Sequence, residues 1–383
     1  RLIPANAKVV KVLTPELPFA VRDKLWKRLS PPHRAGMVGT QNSASPKPSF
    51  KSRIRGAVQR MLFPDVQSVW APFAIRAASQ LVAYDGIDTV ILNAPPFSLL
   101  KIGIALKRKF PHLRLISDLR DDWVGYYAAQ FDSPSAQKLE MAKALERQAV
   151  ELSSTVSIAS PVWLEHLRAR YPDQPADKFI CTTNAYEPES FTGFPIAPRR
   201  SEELLVTYFG TVYMSPIYSP ARYLDAVASL PEEQCGRIHT RFIGRVVSEA
   251  EWLFSNRNTR IERLGFMPKL SGLEKLRETD LLLLIVSGTD SHAGKLFDYL
   301  ATGKPILALT PPHGAIADVV RETRTGWAID PNDRQGIQRV LQQCLDAVRN
   351  GTPLTQPNWE AIQRYSAPEV VAKFAIATGL TTA

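Results

Sequence analysis

Residues Thr279 to Thr310 read TDLLLLIVSGTDSHAGKLFDYLATGKPILALT. Leu281 to Val286 is an unbroken apolar run, as a strand buried on both faces of a parallel sheet requires. A polar loop follows, Ser287-Gly288-Thr289-Asp290-Ser291-His292-Ala293. A compact helix is predicted from Gly294 to Thr302, stopped by Gly303 with Pro305 just beyond. Ile306 to Leu309 reads as the next buried strand. The order strand, loop, helix, strand puts the loop at a strand's carboxyl end, where open α/β sheets bind ligands.

The loop has the makings of an anion site. Lys295 falls in the first helical turn, where the macrodipole disfavours a cation by roughly a few tenths of a kcal/mol. A bound phosphate reverses that sign, because backbone N–H groups and the lysine then share one anion. Asp290 and Asp298 lie eight apart, in the loop and one turn into the helix, so both can face one cleft. A surface lysine with two solvated aspartates is the competing reading. A Walker A loop fits poorly: five residues separate Gly288 from Gly294, and Leu296 stands at the hydroxyl position.

Ser287, Asp290 and Asp298, with Gly294-Lys295-Leu296-Phe297-Asp298-Tyr299-Leu300-Ala301 and Gly303-Lys304-Pro305, resemble the donor-site signature of GT-B retaining glycosyltransferases of family 4. That family carries two glutamates at this spacing, and both are aspartates here. The resemblance implies that the second acid takes the ribose hydroxyls of a nucleotide sugar and the first the transferred sugar. An aspartate is one methylene shorter, so either contact is lost or bridged by water. The implied fold is α/β of GT-B type, two Rossmann-like doubly wound domains facing across a cleft.

Length and composition agree with two domains. The chain has 383 residues, 45% of them apolar, enough for two cores. No apolar run is long enough to cross a bilayer, and no signal peptide is read. Cys181, Cys235 and Cys344 are scattered without metal spacing, which points to a reducing compartment and buried thiols. The six histidines form no ligand pair at helical spacing, so no metal site is expected.

Charge is regional. Residues 1–60 hold thirteen Lys/Arg against Glu16 and Asp23, an excess of eleven, while the whole chain carries +10. Most of it lies between Arg22 and Phe63, interleaved with Phe50, Ile54, Val58, Met61 and Leu62. That pattern fits a basic amphipathic helix on an anionic membrane surface. A solvated helix with its apolar face in the core fits equally, and nucleic acid is disfavoured because no recognised motif accompanies the charge.

Ala7 to Leu13 reads as a first strand, following a start at Arg1 without methionine. The family's opening strand and glycine loop are not recognisable there, so the sequence is expected to begin inside a longer protein or to be divergent. Phe63 to Ile75 resembles a segment of bacterial polysaccharide glycosyltransferases and leads into a helix. Ile87 to Leu92 (strand), Leu99 to Lys109 (helix) and Leu113 to Ser117 (strand) give the alternation of a parallel doubly wound sheet. No G-x-G-x-x-G follows any strand.

Asp118-Leu119-Arg120-Asp121-Asp122-Trp123 admits two readings from its residues, an acid/base cluster and a salt-bridged loop, with the second favoured. The resemblance, a D-x-R-D-x-W run, implies that Arg120 and Asp121 are cleft residues of the first domain. Leu204 to Phe209 is a strand running into Gly210-Thr211-Val212-Tyr213, a glycine loop whose backbone the resemblance sets against the donor phosphates. The family's following Arg and Lys are missing at Met214-Ser215-Pro216. Arg245, after a strand from Arg241 to Gly244, is a candidate replacement cation or an ordinary exposed arginine. Ile261 to Leu264 with Gly265-Phe266-Met267-Pro268 resembles the family's short strand and following turn, whose backbone the resemblance sets against the nucleobase. His313 is a candidate base or a loop histidine bonded to backbone. Helices are predicted over Gln335 to Arg349 and Trp359 to Ala377.

The expected domains are 1–192, binding acceptor and completed by a terminal helix over 365–383, and 193–364, binding donor. The expected activity is retaining transfer of a hexosyl unit from a nucleotide-diphosphate sugar, without metal or cofactor, to a lipid-linked saccharide. The expected place is the cytoplasmic face of the bacterial inner membrane, in surface polysaccharide synthesis. Asp290, Arg120 and Asp121 are the catalytic candidates. Gly210, Thr211, Arg245, His292, Gly294, Lys295, Leu296 and Asp298 are the donor-binding candidates. Rival readings are a catalytically silent nucleotide-sugar-binding scaffold and a GT-B epimerase, which needs a cluster of cleft acids and histidines not found in the sequence.

Overall fold

The structure is a computed structural model that describes residues 7–12, 63–125, 136–194, 198–213, 219–255, 259–286, 288–290 and 292–381. The chain divides into two compact units, Arg1–Ser157 with Tyr171–Phe179, and Ile158–Arg170 with Ile180–Ala383.

The first sheet has four strands, β1 (Thr89–Ala94), β2 (Arg114–Leu119), β3 (Thr155–Ile158) and β4 (Phe179–Cys181), in the order β1-β2-β3-β4. β1 and β2 run parallel with Asn93 opposite Asp118. The helices Ala71–Tyr84 and Ser98–Lys109 share a small core built from Ala71, Ala74, Val82, Ile102, Leu106 and Leu113. Asp65 accepts a 2.8 Å hydrogen bond from the Ser98 amide, so a residue of the Phe63 segment caps the second helix from outside it.

Residues 7–12, expected to open a strand, are not in one. Val9 and Val10 are exposed, and an exposed Lys8–Asp85 ion pair at 3.0 Å ties the segment to the end of the helix Ala71–Tyr84. Apolar alternation sets which faces a strand would present; it does not supply the neighbour that makes one. The basic segment up to residue 62 lies outside the described residues. Among the described residues no helix is long and apolar enough to cross a membrane.

The second sheet has six strands, β5 (Leu204–Phe209), β6 (Ile238–Ile243), β7 (Arg260–Gly265), β8 (Leu281–Ile285), β9 (Ile306–Leu309) and β10 (Gly326–Ile329). Their order is β10-β9-β8-β5-β6-β7, and every pair is parallel. Counted along the chain this is the doubly wound order 3-2-1-4-5-6, whose direction reverses between β5 and β8. A crevice must open at the carboxyl ends of those two strands, because the connecting helices leave in opposite directions.

β8 explains itself residue by residue. Leu281, Leu283 and Ile285 belong to one core, with Val206, Tyr208 and the helix Arg334–Asn350. Leu282, Leu284 and Val286 belong to the other, with Leu296, Phe297 and Leu300 of the helix Gly294–Thr302. A period of two with both faces covered leaves no place for a polar residue, and each buried aliphatic side chain contributes about 1.5–3 kcal/mol. The helix stops where expected. Gly303 adopts φ 66°, and a Cβ there would lie 2.6 Å from the Trp359 ring.

The predicted terminal helix is two helices, Trp359–Gln363 and Ala367–Ala377. Pro368 cannot continue a helix, and Tyr186 bridges the gap, donating its amide to the Tyr365 carbonyl at 3.1 Å and accepting from the Ala367 amide at 2.8 Å. Cys235 and Cys344 are buried free thiols, whereas Cys181 is only half-buried.

Candidate functional site

The switch point between β5 and β8 is lined by glycine for steric reasons. Gly210 follows β5 with φ +151°, and Gly244 follows β6 with φ +138°. A Cβ on Gly244 would lie 2.1 Å from the Gly210 carbonyl oxygen, so the two loops touch backbone to backbone. Gly210 N donates to Ile243 O at 2.8 Å, and Val212 N to Arg245 O at 2.8 Å, which fixes the contact. Side chains are kept out here, and backbone faces the crevice.

Lys295 reaches the same place from the other side. Its Nζ lies 2.8 Å from where a Gly210 Cβ would be. It donates to the Tyr208 hydroxyl at 2.8 Å and sits 4.0 Å from the Tyr208 ring centroid. Tyr208 in turn donates to the Thr211 carbonyl at 3.0 Å. Lys295 as a whole is half-buried, and desolvation lowers the pKa of its amine from 10.5 to about 7. No carboxylate pairs with it among the described residues. A buried amine without a counter-charge is costly, and an arriving anion would remove that cost.

The helix that carries Lys295 offers amides to the same anion. Ala293 occupies its N-cap and has no side-chain acceptor. The opening N–H groups therefore have no side-chain cap and carry the positive end of the dipole. Leu296, predicted to bind donor, is fully buried in the core, which leaves only its backbone for that part, and its amide is already bonded to Ala293 O at 2.9 Å.

Asp298, a turn further on, takes Lys269 as partner at 2.9 Å. Burial raises its pKa and Lys269 opposes the shift. Asp290 accepts a short hydrogen bond from the Thr289 hydroxyl, and its carbonyl accepts one from Ser160. The two aspartates read as a pair in the sequence thus have separate partners. His292 is buried, with Nε2 3.1 Å from Ala315 O and its ring edge-on to Phe297. Desolvation lowers its pKa, with the backbone contact to Ala315 opposing, and its Nδ1 is buried without a hydrogen-bond partner among the described residues. The Arg245 guanidinium lies 4.8 Å from the ring centroid of Phe266, an exposed aromatic just past β7. His313 is exposed.

In the first unit, the loop after β2 is a bonded turn. Arg120 pairs with Asp118 at 3.3 Å, Asn93 donates to the same carboxylate at 2.6 Å, and Asp122 accepts from Gly125 N at 3.2 Å. Trp123 stacks on Phe97 with centroids 4.7 Å apart. Asp121 keeps solvent contact, yet crowding raises its carboxyl pKa, with Arg120 opposing. No group of three His, Cys, Asp or Glu that could hold a metal occurs among the described residues.

Two members of the second unit's site escaped sequence reading. Tyr208 sits in an apolar strand run and looks like core, which its ring is. Lys269 opens a helix after Pro268 and carries no motif.

By sequence, no family model matches the chain and no curated protein does. Solved structures do match. Anabaena HepE in complex with UDP-glucose superposes with TM-score 0.59 at 16% identity, covering 81% of this chain and 82% of that one. The fold is GT-B. Sucrose-phosphate synthase from Thermosynechococcus elongatus gives 0.58 at 15%, covering 80% and 76%. The UDP-forming trehalose-phosphate synthase from Burkholderia xenovorans, in complex with glucose-6-phosphate, gives 0.57 at 12%, covering 82% and 80%.

Proposed function

We propose that this protein is a glycosyltransferase that moves a hexosyl unit from a nucleotide-diphosphate sugar to a saccharide acceptor. One observation carries the reading: among the described residues the desolvated amine of Lys295 has no carboxylate partner, and it lies beside glycine backbone at the sheet's switch point. That is the electrostatic complement of a diphosphate. HepE, of like fold, is a protein crystallised with UDP and with UDP-glucose, which makes a UDP-sugar the first donor to try.

In this reading the Gly294 amide and Lys295 stabilise the departing diphosphate, which the side-chain-free loop at Gly210 lets approach, a task that needs no metal. Asp298 takes the ribose hydroxyls, with Lys269 holding its carboxylate charged. Asp290 positions the sugar, Arg120 and Asp121 serve the acceptor side, and the configuration is retained. The acceptor is lipid-linked and is met at the cytoplasmic face of a bacterial membrane through the basic region between residues 22 and 63, during polysaccharide synthesis.

Slow hydrolysis of UDP-glucose, measured as UDP release, tests the reading. Turnover should be present in the native chain and lost in Asp298→Ala. A second reading, a nucleotide-sugar-binding protein without transfer, draws support from the Lys269 pair, which already occupies the Asp298 carboxylate. It predicts UDP-glucose binding with no UDP release under any acceptor.

A further inference from the structure

We infer that Tyr208 is a positioning residue for Lys295, and that diphosphate binding at Gly210 is coupled through this pair to uptake of one proton. The inference rests on the donor site proposed above but concerns how that site is charged.

The geometry is a short relay. Tyr208 stands in β5 with its ring buried, and its hydroxyl joins two groups: it accepts from Lys295 Nζ at 2.8 Å and donates to Thr211 O at 3.0 Å. The glycine loop and the lysine are thereby held by one oxygen. The amine lies over the ring face at 4.0 Å, an arrangement that keeps it beside Gly210 and out of solvent.

Among the described residues, the charged and titratable groups of this region are engaged elsewhere. Asp298, on the same helix, is with Lys269, and Arg245 lies on Phe266. Asp290 is bonded to Thr289, and His292 to Ala315. The Tyr299 hydroxyl accepts from Phe209 N at 2.9 Å. No charged group among the described residues offsets the burial of the Lys295 amine, whose pKa falls to about 7. A diphosphate laid against Gly210 supplies the missing charge, and the neutral amine then takes a proton from the buffer to become an ammonium. Below that pKa the amine is already charged and no proton is taken up. Above it, uptake approaches one.

Calorimetric titration with UDP-glucose in two buffers of different ionisation enthalpy counts the protons. Expected uptake is near zero at pH 6, about half a proton at pH 7 and about 0.9 at pH 8. Tyr208→Phe keeps the ring but removes the acceptor of the ammonium, so its uptake curve should move to lower pH. A wild-type value of zero at pH 8, or an unmoved curve in Tyr208→Phe, overturns the proposal. A second arm needs no donor: acylation of the protein by a small reagent across pH 6–10, read by mass spectrometry at Lys295. A midpoint near 7 supports the inference and one near 10 overturns it. If UDP-glucose fails to bind while the midpoint stays low, the choice of donor fails and the relay stands.

Discussion

Asp298 Oδ1 and Lys269 Nζ lie 2.9 Å apart, joining the fifth residue of the Gly294–Thr302 helix to the first of the helix Lys269–Leu276. The pair lets a partly buried aspartate stay ionised where burial pushes its pKa upward. Lys269→Ala removes the opposing charge, so the Asp298 pKa should rise further. In the proposed enzyme the acid limb of UDP-glucose binding should shift to higher pH, with affinity at pH 8 changed less than at pH 5. Affinity measured against pH checks this, and an identical profile in the variant refutes it.

Gly210 and Gly244 should respond differently to alanine. At Gly244 the new methyl meets backbone oxygen at 2.1 Å, so the two loops must part, at a cost of about 1–3 kcal/mol in stability. At Gly210, whose φ of +151° strains any side chain, it meets the end of the Lys295 side chain at 2.8 Å rather than backbone. Both variants should lower the unfolding midpoint, Gly210→Ala by less, and Gly210→Ala should also displace Lys295 and lower nucleotide affinity. Thermal denaturation alongside nucleotide titration separates the two.

Lys295 should cost the fold stability in a pH-dependent way. Its folded pKa of about 7 lies below the unfolded value of 10.5, so the unfolded chain binds more protons between them. Stability contributed at this position therefore rises with pH from about 7 to about 10.5. Lys295→Met should raise stability by about 1–2 kcal/mol at pH 6, a gain that shrinks toward pH 10. Thermal melts across that range, native against variant, read the difference directly.

The chemistry of β8 and its helix was legible because the local signals agree. The run Leu281 to Val286 has no polar residue on either face, and Gly303 with Pro305 ends the helix. Residues 7–12 show the limit of such signals, since pattern alone does not provide a strand's neighbour. The break near Tyr365 has a local signal in Pro368, which cannot continue a helix, whereas the Tyr186 backbone that bridges the gap is remote in sequence. In the site, Gly210 and Lys295 could be named in advance, but not that Lys295 would meet Tyr208, 87 residues away. The Lys269–Asp298 pair was invisible for the same reason, as was the contact of His292 with Ala315, 23 residues away.

The basic region from Arg22 to Phe63 is proposed to meet anionic lipid. Sedimentation with vesicles containing phosphatidylglycerol should retain the protein at low salt and release it as salt rises. Equal recovery with neutral vesicles would remove the electrostatic basis of the membrane proposal.

The central claim is that Lys295 and the Gly210 loop grip a diphosphate. Titrating UDP, GDP and ADP into native protein and into Lys295→Ala at pH 6.5 tests it most directly. At least one nucleotide should bind the native chain, and its affinity should fall tenfold or more in the variant, a loss of about 1.4 kcal/mol. Binding of none of the three, or equal binding to both proteins, would contradict it.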